Sequence, residues 1–117
     1  MVAAALLVSR FRRVVVTGDS MLPAFVPGDR LLVGPIGRLR PGDVVAVPDP
    51  RRPDRFLIKR VHSVAPGARV HVRGDNEAAS TDSRHFGPVP RRAVRGRVLY
   101  RYAPPGRVGR WPGAREQ

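Results

Sequence analysis

The sequence predicts a single all-β domain of short antiparallel strands. Twelve glycines and 13 prolines in 117 residues interrupt the chain at short intervals, which disfavours long helices and suits strands joined by turns. Apolar and polar residues alternate with a period of two around residues 70–73 and 94–102, as on a strand with one buried face. A chain of this length has room for one domain with one modest core.

Six segments are predicted to be strands, and turn signals separate them. In two places Pro-Gly-Asp precedes an apolar run, at Asp29 and at Asp43, which marks the passage from a turn into a strand. Residues 1–12 are predicted to be an N-terminal segment that frays or forms one helical turn, 13–102 the folded domain, and 103–117 a disordered tail without periodicity. The predicted strands are 13–17, 30–34, 43–48, 55–64, 68–73 and 93–102.

Composition restricts the partners and cofactors. The formal net charge of +13 suggests an acidic partner, but the basic residues are spread along the whole chain and lack the interleaved aromatics that stack on bases. We therefore expect no specific nucleic-acid partner. The chain has no cysteine, and His62, His71 and His85 lack ligand-like spacing, so neither a metal site nor an organic cofactor is predicted.

Lys59 is the only lysine among 22 basic residues. Arginine stays protonated in proteins, whereas a desolvated lysine can lose its proton and act as a base. In the strand predicted over 55–64, alternation puts Lys59 on one face with Leu57 and Val61. Apolar neighbours lower the pKa of an ammonium group, and a general base near neutrality needs that pKa to fall from roughly 10.4 to about 7. Taken alone, Lys59 fits a surface position equally well.

Ser20 is the candidate nucleophile. It follows a predicted strand end and Gly18, so a tight turn can present its hydroxyl beside backbone N–H groups that are free to bind an oxyanion. Serine is also common in glycine-rich turns, and the residue alone fits a purely structural role.

Ser20 and Lys59 lie in two of four short motifs that follow one another along the chain. The motifs are Gly18-Asp19-Ser20-Met21-Leu22-Pro23, Arg40-Pro41-Gly42-Asp43-Val44-Val45, Ile58-Lys59-Arg60-Val61 and the segment 74–87, which contains Gly-Asp-Asn-x-x-x-Ser-x-Asp-Ser-Arg. Their content and order resemble those of the type I signal peptidases, peptidase family S26. The resemblance covers about three quarters of the chain.

This resemblance implies a Ser/Lys catalytic dyad and the β fold of signal peptidases and repressor-type proteases. Ser20 would attack the scissile carbonyl, Lys59 would accept its proton, and Ser80 would orient the lysine. The Ser20 N–H, in the turn with Gly18, would be one oxyanion donor. Other matching positions shape the turn and groove or hold the last motif against the catalytic strand: Met21, Pro23, Arg60, Asp75, Asn76, Asp82 and Arg84.

The chain departs from the pattern of the housekeeping signal peptidases, and the large insertion seen in some of them is absent. Gly18 stands where many members have a serine that helps to bind the oxyanion. The apolar stretch 2–8 is far shorter than the roughly 20 residues of a spanning helix, so no transmembrane anchor is expected. A compact member without an anchor resembles the proteases that mature nickel-type superoxide dismutase. This implies a bacterial, cytoplasmic enzyme, at most in peripheral contact with a membrane, whose partner is a precursor protein.

Three alternatives stay open. The first is general processing of secretory preproteins by a signal-peptidase mechanism. The second is a self-cleaving repressor-type protease, which would need a DNA-binding domain that is not seen in this sequence. The third, from another class, is a basic module that binds nucleic acid or an acidic partner and carries a vestigial dyad.

Overall fold

The computed structural model describes residues 10–111 and contains one seven-stranded antiparallel sheet. The strands follow one another in the order β1-β2-β7-β3-β4-β5-β6, and every pairing is antiparallel. The predicted all-β class is therefore confirmed. The strands are β1 Arg12–Val15, β2 Arg30–Gly34, β3 Val44–Asp49, β4 Arg52–Ala65, β5 Arg69–Arg73, β6 Val89–Pro90 and β7 Gly96–Ala103.

The six predicted strands all occur; β2 has the predicted bounds and the other five have shifted ends. β4 begins three residues earlier than predicted, because its first residues continue a hairpin with β3 in which Asp49 pairs with Arg52. β7 begins later, because 91–93 form a 3-10 turn. The two-residue strand β6 was not predicted, because two residues are too few to show alternation; in the described residues it pairs with β5. One short helix, α1, spans Ser83–Phe86, and the expected helical turn in residues 1–8 lies outside the described residues.

The two Pro-Gly-Asp sequences form the same turn. The N–H of Asp29 donates to Val26 O at 3.1 Å and that of Asp43 to Arg40 O at 3.1 Å, while each aspartate side chain accepts the N–H of the residue three positions before it. The glycines have φ of +95° and +97°, which suits a residue without a Cβ. These turns set the starts of β2 and β3.

Apolar side chains form two clusters, on opposite faces of the central strands. In β3, Val44 and Ala46 belong to the first cluster, whereas Val45 and Val47 belong to the second. A strand that is buried on both faces reads as a continuous apolar run, as β3 does. The first cluster also contains Met21 and so supports the turn that carries Ser20.

The chain beyond β7 packs back onto the first cluster. The disordered tail expected from residue 103 is not found up to Trp111, whose ring is buried and lies 5.0 Å from that of Phe25. Arg107 Nε donates to Asp29 Oδ1 at 2.8 Å, and Asp29 is fully buried. A buried carboxylate needs such a partner, and this requirement orders the segment up to Trp111.

Candidate active site

A groove of about 260 Å³ runs along one side of the sheet and is shared by Ser20 and Lys59. One wall consists of residues 14–21, which include the end of β1 and the turn after it. The other wall consists of residues 55–59 in the first half of β4. Ala79 and Thr81 contribute from the segment before α1. The site is therefore built from three parts of the chain that are distant in sequence.

The turn that carries Ser20 is held mainly by its backbone. The N–H of Leu22 donates to Asp19 O at 3.2 Å and the N–H of Phe25 to Met21 O at 3.0 Å. Asn76 fastens the turn to the far side of the site, because its backbone N–H donates to Ser20 O at 2.9 Å and its side-chain amide to Asp19 O at 3.0 Å. Ser20 itself is half-buried, and its side chain is left to face the groove.

Glycine is required at position 18 for a conformational reason. Its φ of +75° lies in the left-handed region, which side chains with a Cβ rarely adopt. A Cβ there would meet no atom within 4 Å, so the constraint on Gly18 is one of backbone conformation alone.

Lys59 is 2% exposed, and Leu57 and Val61 on the same face of β4 are buried with it. Its Nζ donates a hydrogen bond of 2.8 Å to Ser80 Oγ. Burial lowers the pKa of Lys59 to about 8, although the charge of Asp82 opposes the shift and that of Arg51 supports it. Within residues 10–111 no hydrogen bond joins Lys59 Nζ to Ser20 Oγ, although both residues line the same groove.

Asp82 holds Ser80, the hydrogen-bond partner of Lys59, in position. It is fully buried and accepts hydrogen bonds from Ser80 Oγ at 2.6 Å, from Gly74 N at 2.9 Å and from Arg84 Nη2 at 2.7 Å. Burial would raise the pKa of Asp82, but the hydrogen bonds from Arg84 and Ser80 hold that pKa well below its usual value. Because the Ser80 hydroxyl donates to this carboxylate, its oxygen is available to accept from Lys59.

The structure also shows where the remaining predicted residues lie. Arg60 Nε and Nη2 bind the two oxygens of Asp75, each at 2.9 Å, and Arg60 Nη1 donates to Gly42 O at 3.1 Å, so this ion pair joins β4 to two turns. Met21 is buried and lines the groove, whereas Pro23 is exposed and lies outside the groove lining.

Gly74 lies between the turn that carries Ser20 and the hydrogen-bond network around Lys59. A Cβ at this position would stand 2.6 Å from Ser20 O and would also overlap Ser80 Oγ. We expect Gly74→Ala to lower the free energy of unfolding by about 1 to 3 kcal/mol, as overpacking does, and to lower cleavage further because it displaces both neighbours. Denaturant unfolding and kcat/KM would measure the two effects.

Gly106→Ala is the matched control for this prediction. Gly106 has an ordinary φ and open space where a Cβ would stand, so that variant should behave as wild type in both measurements. Unchanged stability and cleavage in Gly74→Ala would show that the two loops do not depend on this contact.

The groove wall formed by Arg51, Arg55, Phe56 and Thr81 was not predicted from the sequence. Nothing in their local pattern separates Arg51 and Arg55 from the other arginines, and strand alternation assigns Phe56 to the face of β4 opposite Lys59. Within residues 10–111, no group of three or more histidine, aspartate or glutamate side chains is placed to hold a metal ion.

Comparison with known proteins identifies the class of this protein as the peptidases. The family model described as "Signal peptidase, peptidase S26" matches residues 1–75 and 62–103. The chain belongs to this family.

Curated relatives give the same family and describe particular members. Mitochondrial ATP-independent inner membrane protease subunit 1a of Arabidopsis thaliana is 38% identical over 80% of this chain and 71% of its own length. Mitochondrial inner membrane protease subunit 1 of Xenopus tropicalis is 32% identical over 78% and 68%, respectively. Subunit 2 of Schizosaccharomyces pombe is 32% identical over 81% and 66%.

These relatives correct one expectation. The sequence was taken to indicate the bacterial cytoplasm, but the similar proteins are named as proteases of the mitochondrial inner membrane, so that location is wrong. The error arose because the location was taken from the resemblance to the nickel superoxide dismutase proteases, which none of these relatives supports. Among residues 10–111, no helix reaches the length and apolar character that crossing a membrane requires.

Proposed function

We propose that this protein is a serine endopeptidase that removes an N-terminal segment from a precursor protein, with Ser20 as nucleophile and Lys59 as general base. One observation carries the proposal. The only lysine of the chain is 2% exposed, bonded through Nζ to Ser80 Oγ, and opens onto the groove that Ser20 lines. A lysine used merely for surface charge would not be buried in this way.

The network around Lys59 occupies one N–H of its amine. The Ser80 hydroxyl donates a hydrogen bond to Asp82, so the Ser80 oxygen accepts one N–H of Lys59. The lone pair of the neutral amine is not used by this bond and is available toward the groove that Ser20 lines. With a pKa of about 8, roughly a tenth of Lys59 is neutral at pH 7.

The chemical steps follow from this arrangement. Neutral Lys59 takes the proton from Ser20 Oγ while that oxygen forms a bond to the scissile carbonyl carbon. Among the described residues the backbone N–H of Ser20 has no acceptor, so it is available to bind the oxyanion. The resulting Lys59 ammonium protonates the leaving amine. Lys59 then deprotonates a water that attacks the acyl carbonyl, and it returns this proton to Ser20 Oγ as the bond between that oxygen and the acyl carbon breaks.

The groove is suited to an extended peptide. In the described residues β1 pairs only with β2, and β4 before residue 60 pairs only with β3. Each strand therefore has an edge without a strand partner, and both edges border the groove. A substrate segment can add its backbone to such an edge, which suits a cleavage site in an unfolded leader.

We propose a class of substrate and keep one particular substrate as an alternative. The similar proteases of the mitochondrial inner membrane favour a precursor with a leader of the signal-peptide type, processed at that membrane. The finer alternative, maturation of nickel-type superoxide dismutase, is supported only by the resemblance described from the sequence, and none of the relatives reported above carries that description.

Cleavage of defined precursors tests the proposal. The purified protein would be incubated, with lipid vesicles present, with a leader-bearing inner-membrane precursor and separately with a nickel superoxide dismutase precursor, and the cut positions read by mass spectrometry. We expect one cut at the end of the leader of the first precursor. A cut in the second precursor alone would change the substrate assignment. Cleavage of neither, by a protein shown to be folded, would contradict the proposed activity.

A further inference from the structure

Two arginines line the groove. They are Arg51 and Arg55, and Arg55 precedes Lys59 by four residues on β4. Four residues of a strand span about 13 Å. The charge of Arg51 reaches Lys59, because it helps to lower the pKa of that lysine. The acidic side chain that lines the groove is Asp19, adjacent in sequence to Ser20, and we call the part of the groove at Arg55, about four residues from Lys59 along β4, its arginine end.

Arg51 is held in place by a buried carboxylate. Its Nε donates to Asp49 Oδ1 at 3.1 Å and its Nη2 to Asp49 Oδ2 at 3.2 Å, and Asp49 is 1% exposed. The side chain of Arg51 itself remains 59% exposed. A guanidinium group has five N–H donors, so the two bonds to Asp49 fix its plane and leave three donors for another partner.

Arg55 supplies a second cation. No described residue forms a hydrogen bond or a close ion pair with its guanidinium group, although its charge acts on the Asp49 carboxylate that Arg51 binds directly. Asp54 is adjacent in sequence but does not line the groove. Two guanidinium groups that share one carboxylate, Asp49, leave a net positive charge in the groove, which favours a carboxylate of the substrate.

We propose that this arginine end of the groove selects substrates with an acidic side chain about four residues from the scissile bond. The inference rests on the proposed function and adds a specificity determinant to it. An extended substrate lying along β4 advances at the same rise per residue as the strand, so the residue opposite Arg55 is about four from the bond at Ser20. Phe56 and Ile58, between the two ends, offer apolar contact to the intervening residues.

Position-scanned peptides test this specificity. Quenched-fluorescent peptides built on the mapped cleavage site would carry a single Glu, Gln or Lys at each position on both sides of the bond. We expect the wild type to prefer Glu over Gln by about five-fold in kcat/KM at one position near the fourth residue. Arg55→Gln should reduce this preference to less than about two-fold, and Arg55→Glu should shift it toward Lys.

Arg52→Gln is the matched control, because Arg52 is an exposed arginine of the same strand that does not line the groove. This variant removes the same charge and should keep the preference for Glu. Loss of the preference in Arg52→Gln as well would mean that it reflects net charge alone, which would overturn the inference.

Binding separates this inference from the proposed activity. Fluorescence anisotropy with the Ser20→Ala variant would measure the Kd of Ala-rich peptides that carry Glu or Gln at one position each. This measurement does not depend on cleavage. Equal Kd and kcat/KM for Glu and Gln at every position would overturn the inference while leaving the peptidase intact. A third outcome is that Ser20→Ala binds the Glu peptide more tightly, that the Ser20→Ala/Arg55→Gln double variant loses this preference, and that wild type cleaves no peptide. This outcome would support the inference and contradict the activity.

Discussion

The Lys59→Arg variant is expected to lose about a thousand-fold or more in kcat/KM for precursor cleavage. Arginine keeps the positive charge but does not lose its proton in a protein, so it cannot accept the proton of Ser20. In the wild type, kcat/KM should rise about ten-fold per pH unit below pH 8 and level off above it, because burial lowers the pKa of Lys59 to about 8. Cleavage by Lys59→Arg at a rate near wild type would refute the general-base assignment.

Arginine is larger than lysine and the site is buried, so a second variant, Lys59→Met, is used to separate loss of the base from loss of the fold. The pKa of Lys59 is about 8 in the folded protein and 10.5 as the ordinary value, so between these pH values the unfolded chain holds more protons. The free energy of unfolding of the wild type should therefore rise from pH 8 to about pH 10.5. Below pH 8 Lys59→Met should be more stable by up to about 3 kcal/mol, measured by denaturant unfolding. If the free energy of unfolding changed with pH in the same way for wild type and Lys59→Met, the Lys59 amine would be exposed to solvent in the folded protein.

Local sequence patterns predicted the strands well and their arrangement not at all. The Pro-Gly-Asp turns gave the starts of β2 and β3 within one residue, because the turn geometry is set by residues that are adjacent in the chain. The insertion of β7 between β2 and β3 depends on pairs of residues that are at least 50 positions apart, which no local pattern encodes. The same limit explains the segment up to Trp111, whose order comes from Phe25 and Asp29.

The candidate site divides in a similar way. Strand alternation placed Lys59 with Leu57 and Val61, and all three are buried in the structure. The approach of Ser80 to Lys59 came only from the resemblance, because those residues are 21 positions apart and are joined by a folded segment. Arg51 and Arg55 could not be singled out in a chain with so many arginines, since only their position beside the groove distinguishes them.

Ser20→Ala is expected to reduce precursor cleavage by about a thousand-fold or more, because alanine has no atom that can form the acyl bond. Stability should change by less than about 0.5 kcal/mol, since the turn is held through the backbone oxygen of Ser20, and precursor affinity should remain. Ser63→Ala, a serine of β4 that does not line the groove, is the matched control and should cleave as wild type. Retained cleavage by Ser20→Ala, with no acyl-enzyme detected by mass spectrometry, would reject the covalent route through this hydroxyl.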